Sequence, residues 1–190
     1  KYLGKEKITF EEANEEDQVG VVRGLAWTSV GGDTLQIEVN VMPGKGEVKL
    51  TGQMGDVMKE SAQTALTYVR SISPKYSLAH DYFEKHDLHI HIPEGAVPKD
   101  GPSAGITMAT AMLSAVTDKK VSAKVAMTGE ITLRGRVLSI GGLKEKILAA
   151  KMAHIQTVLV PDKNRPDIGE LSEEITDGLE IVYVKTMEEV

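Results

Sequence analysis

Alternating apolar and polar positions predict several half-buried strands in this chain. From residue 35 to residue 41 every second residue is aliphatic and the residues between them are polar, which is the period of a strand with one buried face. The turn Pro43-Gly44-Lys45-Gly46 then predicts that residues 48–50 pair back on this strand as a hairpin. Further strands are predicted at residues 88–92, 125–133 and 137–140, and a last pair of strands at residues 158–160 and 181–184.

Apolar residues at helical spacing predict three helices. The first begins at Asp56, whose carboxylate can cap it, and ends before Pro74. Its inward stripe is predicted to consist of Val57, Ser61, Ala62, Ala65, Leu66 and Val69. The second begins near Ser103 and the third runs from Gly141-Gly142 to about His154. Since several strands are joined too closely for crossover connections, we expect an α+β (irregular α/β) fold with mixed small sheets and hairpins packed against helices.

The amino-acid composition limits the classes of protein to which this chain can belong. The chain has 190 residues, of which 41% are apolar, and this is enough for a buried core. No apolar run is long enough to span a bilayer and the first residues do not look like a signal peptide, so we expect a soluble protein. The absence of cysteine excludes disulfides and cysteine nucleophiles, and suits the cytoplasm. A net charge of −6 favours protein or peptide partners over non-specific nucleic-acid binding.

The segment Gly101-Pro102-Ser103-Ala104-Gly105 places a serine between small residues where a loop becomes a helix. Its hydroxyl is accessible, and backbone N–H groups near it, including those of Ser103 and Ala104, are available to an oxyanion. An N-cap serine is the alternative interpretation. The segment also matches the nucleophile elbow of α/β-hydrolases, for which His154 is the only later histidine. Pro102 disfavours that match, because it removes a ladder hydrogen bond from the strand that would precede the elbow.

A lysine with a neutral amine is another base for a serine. On a helix that starts at Leu143, Lys146 falls on an arc of small apolar residues, whereas Lys144 and Lys151 lie together on another side. Burial can lower the pKa of a lysine from about 10.4 to roughly 7 to 8, as a general base requires. A surface lysine is the alternative interpretation. Thr128 could hydrogen-bond the neutral amine or could simply be a strand residue.

Other polar residues carry weaker signals. His89 and His91 project from one face of their strand, but a zinc site needs a third ligand that the sequence does not identify, so we predict no metal site. Asp100 precedes Ser103 by three residues and can cap a helix, orient a base or remain solvated. No glycine-rich stretch has the spacing of a phosphate-binding loop, so no ATP site is predicted in this chain.

Three segments carry a common signal, namely His91-Ile92-Pro93-Glu94-Gly95-Ala96, Pro98-Lys99-Asp100-Gly101-Pro102-Ser103-Ala104-Gly105 and Gly141-Gly142-Leu143-Lys144-Glu145-Lys146. Together they resemble the signature of bacterial-type Lon ATP-dependent serine proteases. Shorter matches at Gly24-Leu25-Ala26-Trp27 and in residues 127–135 follow in order, and the resemblance covers nearly the whole chain. It implies a Lon-type proteolytic domain at residues 16–190, with residues 1–15 as a lead-in or linker from an ATPase module.

In the Lon family the serine of the second segment is the nucleophile and the second lysine of the third segment is its partner. The resemblance therefore implies a dyad of Ser103 and Lys146. It also implies that Thr128 supports the lysine and that three further residues lie near the site, namely Glu38, His91 and Asp100. The expected reaction is peptide-bond hydrolysis through an acyl-enzyme, with the backbone amides of Ser103 and Ala104 holding the oxyanion.

The resemblance also implies partners and cofactors. We expect unfolded polypeptides as substrates, a homo-hexamer in the full-length enzyme, and degradation of misfolded and regulatory proteins in the cytoplasm. No cofactor is expected in this domain, because ATP and Mg²⁺ belong to the ATPase module. We expect no membrane association, and DNA binding only through parts outside this chain. Two alternatives remain, a serine hydrolase that pairs Ser103 with His154, and a non-enzymatic interaction module in which Lys146 is a surface charge.

Overall fold

The structure, a computed structural model, describes residues 16–93 and 99–190 and combines helices with mixed sheets. The strands are β1 (Gln18–Val19), β2 (Val21–Thr28), β3 (Gly31–Pro43), β4 (Val48–Thr51), β5 (His86–His91), β6 (Lys120–Val121), β7 (Val125–Met127), β8 (Glu130–Ile131), β9 (Val137–Leu138), β10 (Thr157–Pro161) and β11 (Glu180–Val184). The α-helices are α1 (Asp56–Ile72), α2 (Tyr82–Lys85), α3 (Gly105–Thr117), α4 (Leu143–Met152), α5 (Arg165–Gly169) and α6 (Glu173–Thr176), and two 3₁₀ helices are Ser73–Tyr76 and Asp162–Asn164. The predicted α+β class is confirmed. The predicted lead-in at residues 1–15 and the loop residues 94–98 lie outside the described residues.

A sheet of seven strands forms the centre of the described part of the chain, in the order β11-β10-β7-β2-β3-β5-β4. Strands β2 and β3 form a long antiparallel hairpin, and β5 is antiparallel to β3. On the other side of β2, strands β7, β10 and β11 are all parallel. The predicted pairing of the last two strands is thereby confirmed. Strands β1 with β6 and β8 with β9 form two small antiparallel sheets.

The predicted hairpin between residues 35–41 and 48–50 is wrong. Strand β4 pairs in parallel with β5, which lies between β4 and β3 and occupies the edge that β4 would need. The loop before β4 is also attached to β5, because the N–H groups of Lys45 and Glu47 both donate to the Asp87 carboxylate at 2.8 Å. A long-range partner therefore displaces the local one that the short turn suggested.

Helices cover both faces of the sheet. The alternation predicted for residues 35–41 is confirmed, since Leu35, Ile37 and Val39 are buried in a cluster that includes residues of α1 and α3. On the opposite face, a second cluster joins the strands to α4. Its buried members are Leu25, Ala126, Leu143, Ile147, Ala150, Ala153, Ile155, Val158 and Val160. Within the described ranges, no helix combines the length and apolarity needed to cross a membrane.

The three predicted helices are present, with corrections at their ends. Asp56 does not cap α1. The N-cap residue is Gly55, which has no side chain that could cap the helix. The Asp100 carboxylate instead accepts the N–H of Met58 at 2.9 Å. Val57 is 45% exposed, whereas Met58 faces the core, so the buried stripe begins one residue later than predicted.

Candidate active site

Ser103 lies in the turn that leads into α3. Its carbonyl oxygen accepts the N–H of Gly129 at 2.8 Å and the hydroxyl of Thr128 at 3.4 Å. These bonds tie the backbone of the serine to the end of β7. Ala104 is the N-cap residue of α3, so the interpretation of Ser103 as a helix cap is wrong. The side chain is half-buried, and among the described residues its Oγ has no hydrogen-bond partner.

The backbone around this serine offers free donors. Within residues 16–93 and 99–190, the N–H groups of Ser103 and Ala104 have no acceptor. The next N–H, that of Gly105, closes the turn onto the carbonyl of Pro102 at 3.2 Å. Two adjacent unpaired donors beside an accessible hydroxyl are the arrangement that stabilises a developing oxyanion.

Asp100 anchors the segment before the serine to the N-terminus of α1. Its carboxylate accepts the N–H of Met58 at 2.9 Å and that of Gly101 at 2.8 Å. The N–H of Gly55 donates to the carbonyl of Lys99 at 2.7 Å, which adds a backbone link at the same place. The hydrogen bond from Met58, followed by that from Gly101, holds the pKa of Asp100 below its usual range. Asp100 therefore joins two elements and does not cap α3.

Lys146 lies in the second turn of α4 and is only 2% exposed. Its Nζ donates to Thr128 Oγ1 at 3.2 Å. No carboxylate of the described residues forms an ion pair with it. Burial without a charged partner disfavours the ammonium form and lowers the pKa of Lys146 from 10.5 to about 8. The interpretation of Lys146 as a surface lysine is therefore wrong, whereas Lys144 on the same helix is exposed.

Ser103 and Lys146 line the same cavity, which has a volume of about 410 Å³. Its walls are formed by the half of the β2–β3 hairpin next to the turn, by residues 99–104 and by residues 139–141. Trp27 stands at the rim with 58% of its surface exposed, so close to Gly142 that a Cβ there would lie 2.6 Å from the indole Cγ. The result is an open cleft with both apolar and polar walls, which Ser103 and the buried Lys146 face.

The whole chain matches a known family. Residues 1–190 fit the family described as the Lon protease (S16) C-terminal proteolytic domain. The chain belongs to this Lon family. Membership confirms the resemblance predicted from the motifs and the predicted class of enzyme, a serine peptidase.

Bacterial Lon proteases match the chain over its full length. The Lon protease of Lachnoclostridium phytofermentans is 70% identical over 189 residues, which cover 100% of this chain and 23% of that protein. Lon protease 1 of Bacillus subtilis is 57% identical and the Lon protease of Clostridioides difficile 56% identical, each covering 100% of this chain and 24% of the relative. The chain thus spans about a quarter of the length of these relatives.

Glu38 and His91 do not line the cavity of this Lon-family domain. They face each other across β3 and β5, where Glu38 Oε1 accepts the Gln36 side-chain amide at 2.7 Å. Thr51 Oγ1 lies 2.6 Å from His91 Nδ1 and 2.8 Å from His89 Nε2. In the part of the chain that the structure describes, no group of three or more histidines and acids is arranged to hold a metal ion. Glu38 and His91 therefore lie outside the lining of the cavity that Ser103 and Lys146 share.

The alternative base, His154, is also separate from the serine. It follows the end of α4, is exposed, and is absent from the lining of the cavity. It is eight positions after Lys146 in the chain and lies beyond the C-cap residue Ala153. The serine–histidine pair that the nucleophile elbow requires is not formed, and Ser103 is preceded by a loop instead of a strand.

Several residues of the cleft have no role in the sequence-based prediction. Trp27 appears there only inside a motif, and the segment 139–141 only as the end of a strand. Met58 is absent from the predicted helix stripe although it lines the cavity. A large aromatic residue at the polar tip of a hairpin is the signal that could have identified Trp27.

Proposed function

We propose that this Lon-family domain is a serine endopeptidase in which Ser103 is the nucleophile and Lys146 the general base. The observation that supports the proposal is the buried Lys146, which has no ion-pair partner among the described residues and lines the same cavity as Ser103. A lysine with a pKa of about 8 is partly neutral at physiological pH, so it can accept a proton from a hydroxyl.

The proposed reaction is acyl transfer in two stages. Lys146 Nζ accepts the proton of Ser103 Oγ as that oxygen attacks the carbonyl carbon of the scissile bond. The tetrahedral intermediate then breaks its C–N bond, and the Lys146 ammonium gives its proton to the leaving nitrogen. Water attacks the resulting ester while Lys146 accepts its proton, and the serine leaves as a hydroxyl with that proton. The N–H groups of Ser103 and Ala104 hold the oxyanion, and losing one such donor raises the barrier by about 2.7 to 4 kcal/mol.

Thr128 links the two proposed catalytic residues. Its hydroxyl accepts a hydrogen bond from Lys146 Nζ at 3.2 Å and donates to the carbonyl of Ser103 at 3.4 Å. We infer that it orients the neutral amine and fixes the serine backbone with one side chain. The transfer also requires Ser103 Oγ to come within hydrogen-bond reach of the amine. Bonds of this kind are often long before substrate binds and shorten in the complex.

In the intact protein, we infer that the domain cleaves unfolded polypeptides supplied by an ATP-dependent module. ATP and Mg²⁺ would be bound by that module, outside this chain. The proposed setting is a cytoplasmic homo-hexamer that degrades misfolded and regulatory proteins, with no membrane association and with any DNA contact made elsewhere. The relatives named Lon protease, of which this chain spans 23 to 24%, support this proposal.

Covalent labelling tests the proposed dyad. The intact protein is treated with a small fluorophosphonate, and mass spectrometry identifies the modified residue. We expect modification of Ser103, at a rate that rises with pH through about 8, the pKa of Lys146. Lys146→Met should abolish labelling, whereas Lys144→Met, at an exposed position of the same helix, should not.

Two results would contradict the proposal. Normal labelling in a folded Lys146→Met variant would mean that another group is the base. A wild-type protein that neither reacts nor cleaves peptides would favour the interaction module. The first result would remove the mechanism only, and the second would remove the enzyme activity.

A further inference from the structure

The side chain of Asn164 forms two hydrogen bonds with the backbone of Ile140, a residue in the wall of the cleft. Its Oδ1 accepts the N–H of Ile140 at 3.0 Å, and its Nδ2 donates to the carbonyl of Ile140 at 2.9 Å. Asn164 is 3% exposed. A single side-chain amide thus satisfies both backbone groups of Ile140, as a neighbouring strand would do.

The Asn164 amide does not cap the helix that it precedes. Asn164 is the N-cap residue of α5, a position at which an asparagine usually accepts an N–H of its own helix, but its side chain makes no cap hydrogen bond. The amide instead reaches a residue 24 positions earlier in the chain. The Asp167 carboxylate accepts the second Nδ2 hydrogen at 2.7 Å, which fixes the carbonyl end of the amide toward the Ile140 N–H.

Ile140 is part of the wall of the cleft. Ile140 and its two neighbours, Ser139 and Gly141, line the cavity that contains Ser103. Strand β9 ends before them, and in the described ranges Ile140 has no other backbone partner. Among the described residues only Asn164 hydrogen-bonds to these two backbone groups, so we expect this side chain to hold Ile140 in place in the wall.

We propose that Asn164 is a positioning residue for peptide substrates. By fixing residues 139–141, it sets the distance between the cleft wall and Ser103, and so determines whether the scissile carbonyl of a bound peptide meets the hydroxyl. The inference rests on the proposed peptidase function. It concerns extended substrates, because a reagent that occupies only the surroundings of the serine has no need of this wall.

The test compares a peptide with a small reagent in the intact protein. Asn164→Ala should lower kcat/KM for a fluorogenic peptide by about tenfold or more, because displacement of a positioning element by an ångström is costly. The rate of Ser103 modification by diisopropyl fluorophosphate should stay within about twofold. Asn164→Asp keeps the acceptor but sets a carboxylate against the Ile140 carbonyl, so we expect a larger loss. Asn40→Ala, an equal change at an exposed position of β3, should alter neither rate.

Two outcomes with a folded variant would overturn the proposal. One is unchanged peptide kinetics in Asn164→Ala, and the other is an equal loss in both assays, which would mean that Asn164 supports the fold or the dyad. If Asn164→Ala does not fold, Asp167→Ala frees the amide and should show the same split between the assays at a smaller scale. A wild-type protein inert in both assays would remove the proposed function and this inference together, whereas the other outcomes leave the proposed function in place.

Discussion

Replacing the proposed base should make this protein more stable. In Lys146→Met, an apolar side chain of similar length replaces a lysine that is 2% exposed and has no acidic partner in the described residues. The substitution removes the general base, so peptidase activity should be lost. Because the same burial that makes the amine a base also opposes folding, activity and stability should change in opposite directions.

The expected increase in the free energy of unfolding follows from the shift in the pKa of Lys146. Burial lowers the pKa of Lys146 from 10.5 to about 8. At about 1.4 kcal/mol for each tenfold change in the protonation equilibrium, this difference disfavours the folded state by about 3 kcal/mol at neutral pH. Methionine also loses the hydrogen bond to Thr128, which contributes about 1 kcal/mol. We therefore expect the free energy of unfolding of Lys146→Met to exceed that of the wild type by about 2 kcal/mol at pH 7.

The stability advantage of Lys146→Met over the wild type should decrease as the pH rises. The folded pKa of Lys146 lies below that of the unfolded chain, so between about pH 8 and 10.5 the unfolded state binds a proton that the folded state lacks. Raising the pH through this window therefore stabilises the wild type. Below it, both states are protonated and the penalty is complete. Between pH 7 and pH 9.5 the advantage of the variant should fall by about 2 kcal/mol.

Urea unfolding followed by circular dichroism at pH 7 and pH 9.5 measures both effects. Lys144→Met is the matched control, since the same change at an exposed position of α4 should give no pH-dependent gain. Two results would refute the reasoning, namely a Lys146→Met variant that is less stable than the wild type at pH 7, or an advantage that is equal at both pH values. Either would mean that the fold does not disfavour the Lys146 ammonium and does not lower its pKa, and the assignment of Lys146 as a base would be lost.

Three further changes test the surroundings of the dyad. Thr128→Val removes the hydroxyl that Lys146 contacts at 3.2 Å while keeping the shape, so peptide kcat should fall about tenfold, and the loss of a hydrogen bond of about 1 kcal/mol should lower the melting temperature by only about 2 to 4 °C. Gly32→Ala would place a Cβ 2.0 Å from the carbonyl oxygen of Glu145, and thermal unfolding should show a loss of at least about 1 to 3 kcal/mol. His154→Ala removes an exposed side chain, so steady-state peptide cleavage should stay within about twofold.

Matched variants show what would contradict these expectations. Thr128→Ser keeps the hydroxyl and should retain most activity, so equal losses in the serine and valine variants would exclude a role for that hydroxyl. Gly169→Ala adds a Cβ with nothing within 4 Å, and a loss of stability as large as that of Gly32→Ala would show that contact is not the cause. A strong loss of activity in His154→Ala would restore the serine–histidine alternative.

Features set by local periodicity could be predicted from the sequence. The period of two in residues 35–41 identified the buried face of β3, and the period of 3.6 placed Lys146 with the small residues of α4. Both predictions succeed because a regular element fixes which side chains share a face, whatever packs against it. The motif around Ser103 carried the family resemblance, which the match over residues 1–190 confirms.

Features set by contacts between distant parts of the chain could not be predicted. Strand β4 follows a short turn, yet it pairs with β5, because the Asp87 carboxylate holds the preceding loop. Asn164 precedes a proline-containing helix and looks like a cap, yet its amide binds Ile140. In each case a polar side chain binds backbone groups at least 24 positions away in the chain, and only the packed structure brings the two together.

The chemistry of the site depends on how closely α4 packs on the sheet. The sequence places Lys146 on an apolar arc, but its pKa depends on what covers that arc, and burial is the cause of the shift in the part of the chain that the structure describes. Gly32 permits this packing, since a side chain there would overlap the backbone of Glu145 in the first turn of α4. A change that lifts the helix would admit water to Nζ and return the pKa of Lys146 toward 10.5. Peptidase activity would then move to higher pH before it disappeared, which would separate a loosened base from a missing one.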